Sequence, residues 1–324
     1  MALGALFFLV VASFWNSREH IGDVLRKAFR GDPEVDDQGE LLSYRTAVFG
    51  TIAGFLLCLM WLYLAGMSLL TSLIFLVSAL VIFVGLARIV SQTGLAYGRA
   101  TVCAPVFTVN TLGTSLVGPA GLAGLGLNFA WAADVRTFVM ASAATGLKLA
   151  EVTRLEYRRL FWAIVAAILV TLAGSIFAVI KLAYTYGGIN LTGWQFIGLP
   201  SFAGNWITSN INNPEPIHLW HLGFVGIGAS LMGGLTYIKS RFIGFPIHPI
   251  GMALGLTHPI SQIWFSVFMA WLFKAVILKY GGAKIYMRLR PFFLGMVLGA
   301  FGSAGIWLII DYFTGMSGNV FTLG

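Results

Sequence analysis

Few residues in this chain are equipped for chemistry. His248-Pro249-Ile250 and His258-Pro259-Ile260 are two copies of one triplet, ten residues apart. An imidazole titrates near neutral pH and suits proton handling. A histidine beside a helix-starting proline also serves as a cap, and capping is the preferred reading. His218 and His221 stand three residues apart around Trp220. Metal or haem ligation is one use of that spacing; an aromatic belt at a membrane interface is the preferred one. Asp134, beside Arg136, is the candidate for proton coupling, because an ionisable group held inside a membrane is costly and usually functional. A boundary salt bridge with Arg136 competes with that role and is preferred. Asp311 reads as interfacial. The five carboxylates between Asp32 and Glu40 lack calcium-loop spacing and read as a solvated acidic loop. Cys58 and Cys103 lie in apolar segments, with no CxxC or metal spacing, and read as packing residues. Neither GxSxG nor HExxH occurs, so the chain is not expected to be an enzyme, and no metal or other cofactor is expected.

The elements that must position these residues are set by composition. Apolar residues make up 58% of the 324 and charged residues only 10%, with a mean hydropathy of +0.86. A soluble domain carries roughly 25% charged residues. The expectation is an all-α polytopic membrane protein, a single membrane domain over 1–324. About six to eight transmembrane helices are expected, with re-entrant or short helical hairpins and interfacial amphipathic helices. Thirty-nine glycines suit close helix contact, since small residues let backbones approach where lipid removes the hydrophobic drive between helices. The net charge of +8 raises nucleic acid as a partner. No basic motif interleaved with aromatics occurs on a soluble stretch, so topology explains the charge better and no nucleic acid is expected.

In chain order, a short apolar helix leads into residues 17–45, a cytoplasmic segment whose first half is amphipathic through Ile21, Val24, Leu25 and Phe29 and whose second half is acidic. The run is short for a span, so Met1 is not the natural beginning or the helix starts in the outer interface. Spans are predicted near Thr46–Gly66, Leu69–Val90, Leu160–Tyr184, His218–Ile238 and Pro291–Tyr312. Val135 to Arg159 reads as an interfacial cytoplasmic helix. Thr185 to Ile217, rich in Asn, Trp and Gly and without Lys or Arg, reads as external.

Two stretches are apolar enough for the membrane yet broken. Residues 91–134 carry Pro105, Pro119 and a dense run of glycines around polar Gln92, Asn110 and Asn128. Residues 244–279 hold the two His-Pro-Ile triplets. A proline lacks an N–H, so it is tolerated where a helix begins and breaks one already under way. The second stretch therefore reads as a short half-helix, a break and a full helix. Of the twenty Lys and Arg, all but Lys181 then fall on one side of the membrane or at its boundary, the signature of the cytoplasmic face. That count requires both broken stretches to enter and leave on the same side, as hairpins.

Several pieces match a wider pattern. They are Ser43-Tyr44-Arg45-Thr46-Ala47-Val48, Ala87-Arg88-Ile89-Val90 with Gln92-Thr93-Gly94-Leu95, and His248-Pro249-Ile250-Gly251. Ala270-Trp271-Leu272-Phe273-Lys274 with Lys279-Tyr280-Gly281-Gly282, and Arg290-Pro291-Phe292-Phe293-Leu294-Gly295 leading to Gly299, complete it. From Arg18 to Ile310 the chain resembles an uncharacterised bacterial branch of the oligopeptide transporter superfamily, and specifically its C-terminal half. The resemblance implies a multi-helix transporter fold with re-entrant hairpins, peptides or metal chelates as substrates, and proton drive. The peptide-transporter signature motifs of plant and fungal members are missing, so the substrate does not carry over.

The expected function is therefore a transporter or half-transporter in the bacterial cytoplasmic (inner) membrane. The alternative is a non-transporting scaffold subunit of a larger membrane complex. Besides the lipid bilayer, the expected partner is a second membrane subunit supplying the missing half, or another copy of the chain. Gln92, Thr93, Asn110, Asn128, His248, Thr257 and His258 are the candidates to line a substrate path, where half-helix N-termini offer N–H groups to an anionic ligand. Gly251, Gly255, Gly295 and Gly299 are the candidates for close helix packing.

Overall fold

The computed structural model describes residues 1–94, 98–133, 139–153, 157–191, 193–242, 244–255 and 257–316. It is helical, with no strand among the described residues, so the all-α expectation holds. Among the described residues, five stretches are long and apolar enough to cross a membrane: Tyr44–Leu64, Leu69–Thr93, Tyr157–Tyr186, Leu219–Arg241 and Ile260–Thr314. The chain divides into two compact units, Met1–Thr257 and His258–Gly324.

In the first unit, α1 (Ala2–Asn16) is a core element, with Ala2, Leu3, Ala5, Leu6, Leu9 and Val10 buried. It lies directly against α10 (Leu219–Arg241). A Cβ on Gly4 would stand 1.8 Å from the Val225 carbonyl oxygen, and one on Gly228 would stand 2.0 Å from that of Met1. Backbone meets backbone there, which only glycine permits.

The amphipathic α2 (Arg18–Arg30) ends at Gly31, whose φ of 69° closes the helix in the left-handed region. Its Phe29 meets Phe49 edge-on on α3 (Tyr44–Leu64). The acidic loop that follows satisfies its own backbone. Asp32 accepts from the N–H of Glu34, Asp36 from that of Gln38, and Asp37 from that of Tyr44, at 2.9–3.1 Å. Ser43 and Ser68 cap α3 and α4 (Leu69–Thr93) through their hydroxyls, as serine does at helix starts. The predicted spans at 46–66 and 69–90 thus appear within a few residues of their expected ends.

Within 91–134 the described residues comprise the end of α4, one broken helix α5 (Ala104–Leu127), and the single turn α6 (Phe129–Ala132). A Cβ on Gly98 would touch Leu86 and Val90, and one on Gly124 would overlap Met67. Helix α5 therefore runs antiparallel along the length of α4. Helix α7 (Val139–Thr153) also packs on α4. In contrast, α8 (Tyr157–Tyr186) buries none of its residues.

The stretch read as external, residues 185–217, contains a helix, α9 (Leu199–Asn212), with Pro200 in its first turn. Phe202, Trp206 and Ile207 recur at helical spacing and bind it to the end of α5. Phe129 meets Phe202 and Trp206 edge-on, and Ile207 lies over Gly126. The apolar stripe overrides the polar residues between. After α10, the unit closes with α11 (Ile250–Leu254), the predicted half-helix.

The second unit contains α12 (His258–Val276), a π-helical turn at Ile277–Gly281, and α13 (Gly282–Thr314). Gly282 has φ 68° and turns the chain between the two arms. Helix α13 begins nine residues before the predicted Pro291 and continues through it. A proline within an apolar helix removes one N–H, which neighbouring groups can make good.

Candidate functional site

Helix α5 is broken at Gly113 (φ 74°, ψ 156°) and again at Gly118 (φ 70°, ψ 167°). In an unbroken helix the Thr114 N–H donates to the Asn110 carbonyl. At this break the two groups separate and each finds a new partner in residues 215–218. The Thr114 N–H donates to the Glu215 carbonyl at 3.0 Å, and the His218 N–H donates to the Asn110 carbonyl at 3.1 Å. The Thr114 hydroxyl closes the join from both sides. It accepts from the Glu215 N–H at 2.9 Å and donates to the Glu215 carbonyl at 3.1 Å.

Glycine is required at 113 for two reasons. Its φ lies in the left-handed region, where a Cβ is strained. A Cβ would also stand 3.2–3.3 Å from Ile217 N, Glu215 O and Pro216 C. The incoming segment, Asn213-Pro214-Glu215-Pro216, has two residues that cannot donate, so it presents few N–H groups that would need a partner.

Around the join stands a small polar cluster. His218 Nε2 lies 2.9 Å from Glu215 Oε2, with side chains 31% and 54% exposed, and the His218 and His221 rings are 4.8 Å apart. An ion pair this open contributes little stability. Among the described residues no group of three or more His, Cys, Asp or Glu is arranged to hold a metal.

The path candidates do not converge on this join. Asn110 sits at it, through its carbonyl. Asn128 lies at the far end of α5, buried, where its amide donates to the Gly124 carbonyl at 2.7 Å and its oxygen accepts from Trp131 Nε1 at 2.5 Å. It is a helix cap with both ends engaged. Gln92 and Thr93 end α4, exposed, and the Thr93 hydroxyl donates back to the Ile89 carbonyl at 2.8 Å. His248 caps α11, its Nδ1 accepting from the Ile250 N–H at 3.3 Å. Burial, and secondarily the Lys239 charge, hold its pKa below the ordinary histidine value. Thr257 is buried, with its hydroxyl on the Leu254 carbonyl at 2.8 Å. His258 begins α12 in the other unit. Asp134 and Arg136 lie outside the described residues.

Of the packing candidates, Gly251, Gly295 and Gly299 have open space where a Cβ would stand, and Gly255 meets only the carbonyl of Gly251. Sequence reasoning missed Gly113, Thr114 and Glu215. The signal present was a glycine inside an apolar helix with a Pro-x-Pro loop 101 residues further on.

The fold and the join define a class, an all-helical, multi-pass membrane protein whose packed helix α5 is broken and repaired by a distant loop. Within that class, the chain belongs to the family of unknown function DUF6785, whose model matches residues 1–322. No curated protein and no solved structure matches it.

Proposed function

We propose that this protein is a transporter, or one half of a two-part transporter, of oligopeptide-transporter type in the bacterial cytoplasmic membrane, acting on peptides or metal chelates. The observation that carries the reading is the break at Gly113. Discontinuous helices inside apolar sequence are where secondary transporters build their sites, because non-helical backbone at membrane depth persists only beside protein or a water-filled cavity. The exposed Glu215–His218 pair next to the join supplies titratable groups at the same place.

Uptake into proteoliposomes tests it, with short peptides and metal chelates offered under an inward proton gradient. Uptake of one class above protein-free vesicles, reduced in Glu215→Gln and His218→Gln variants that remain monodisperse, is the expected result. No uptake of either class, or uptake indifferent to both variants, overturns the reading.

A second reading, a scaffold subunit of a larger membrane complex, is favoured by α8. None of its most apolar window is buried, whereas half of the corresponding window of α4 is. Co-purification of another membrane protein together with absent transport would favour it.

A further inference from the structure

We propose that the second unit carries a binding site for an anionic phospholipid, with the headgroup phosphate on Lys274 and Arg290 and an acyl chain in the cleft between α12 and α13. A cavity of about 340 Å³ lies there, lined on one arm by Phe273, Lys274 and Ile277 and on the other by Tyr286, Arg290 and Phe293, with Leu294 and Val297 extending it. Ala270 and Val297 both line it, yet on one straight helix they would stand about 40 Å apart. The π-helical turn and the left-handed Gly282 fold the two arms toward each other and make the cleft.

Its volume is at the lower end of the roughly 300–1,000 Å³ of small-ligand pockets, suited to a length of one chain and not to a bulky solute. Apart from the two cations and the Tyr286 hydroxyl, the lining side chains are apolar. The Lys274 ammonium stands 5.8 Å from the Tyr286 ring centre, which positions a cation at the edge of the apolar cleft.

Charge complementarity decides the ligand's sign. Residues 258–324 contain Lys274, Lys279, Lys284, Arg288 and Arg290 against one carboxylate, Asp311. Asp311 is 21 residues beyond Arg290, about 30 Å along a helix. Neither Lys274 nor Arg290 has an ion-pair partner among the described residues. Phe273, Phe293, Leu294 and Val297 line the cleft and are all exposed, so it opens sideways, as entry of a lipid requires. Basic pockets between membrane helices take phosphate headgroups in this manner.

Native mass spectrometry of the full chain in neutral detergent tests the site, with phosphatidylglycerol and phosphatidylcholine of matched chains as probes. Phosphatidylglycerol is expected to bind about tenfold more tightly, since each nearby cation strengthens attraction to an anionic headgroup. K274Q/R290Q is expected to remove that preference. K284Q/R288Q, which deletes the same charge outside the cleft, is expected to keep it. Decyl phosphate is expected to compete and inorganic phosphate not to. Equal binding of the two lipids, an equal loss in K284Q/R288Q, or full competition by inorganic phosphate would each overturn the proposal.

Discussion

The backbone N–H of Thr114 is 3.0 Å from the carbonyl of Glu215, a residue 101 positions later in the chain. The Thr114 N–H and the Asn110 carbonyl, partners in an unbroken helix, are thereby each satisfied from outside it, the carbonyl by His218. Breaking a helix in apolar surroundings would otherwise leave a donor and an acceptor unmet, at about 1–3 kcal/mol each. The exchange makes the break stable and ties the start of α10 to the middle of α5.

Gly113→Ala is expected to destabilise the protein more than Gly118→Ala. Both positions have φ near +70°, so both substitutions carry the left-handed penalty of about 1–2 kcal/mol. Only at Gly113 does the new methyl also press on the 215–217 backbone; at Gly118 it meets open space. Thermal unfolding in detergent measures the difference, and equal losses would show that the join does not depend on close approach.

Thr114→Val keeps the shape and deletes both hydroxyl bonds. The Glu215 N–H is then left without its acceptor, for a loss of about 1–3 kcal/mol. Hydrogen exchange should quicken across residues 213–218, and Thr114→Ser should restore protection. Unaltered exchange in the valine variant would remove the hydroxyl from the account of the join.

Gly228→Leu is expected to separate α1 from α10, because even a Cβ at Gly228 would stand 2.0 Å from backbone. Gly234→Leu, six residues along α10 and facing open space, is the matched control. Size-exclusion chromatography should show aggregation for the first and a single species for the second.

Local stability around α11 is expected to fall with acidification. The His248 pKa is lowered in the fold by burial first and by the Lys239 charge second. The unfolded segment therefore takes up its proton at a higher pH, near the ordinary histidine value of about 6.5. Stability is present above that pH and is lost as pH falls toward the folded value. Protonation also removes the Nδ1 acceptor from the Ile250 N–H. Hydrogen exchange over residues 248–255, corrected for intrinsic rates, should rise below pH 6.5 in the native chain and stay flat in His248→Asn. A variant with the same pH response would place the titration elsewhere.

The spans were legible because a membrane helix announces itself by length and composition. Tyr44–Leu64, Leu69–Thr93, Tyr157–Tyr186 and Leu219–Arg241 lie within a few residues of their predicted places. The half-helix at Ile250–Leu254 was legible because each proline marks a start. Helix α9 was not legible, since its asparagines and Gly204 conceal an apolar stripe through Phe202, Trp206 and Ile207. Asn128 looked like a pore residue for the same kind of reason. An amide in apolar sequence suggests a path, and only its two bonds identify it as a cap.

Sequence alone therefore determined the helical membrane class, the approximate places of the spans, and the half-helix that follows Pro249. These are local or additive properties of residues, and they survive without knowledge of any partner. Tertiary structure alone decided that the break at Gly113 is filled by Glu215 and His218, and that glycines 4 and 228 are the close-contact sites. A freed backbone group can be satisfied by any donor or acceptor in reach, and which one is in reach depends on how helices far apart in the chain pack together.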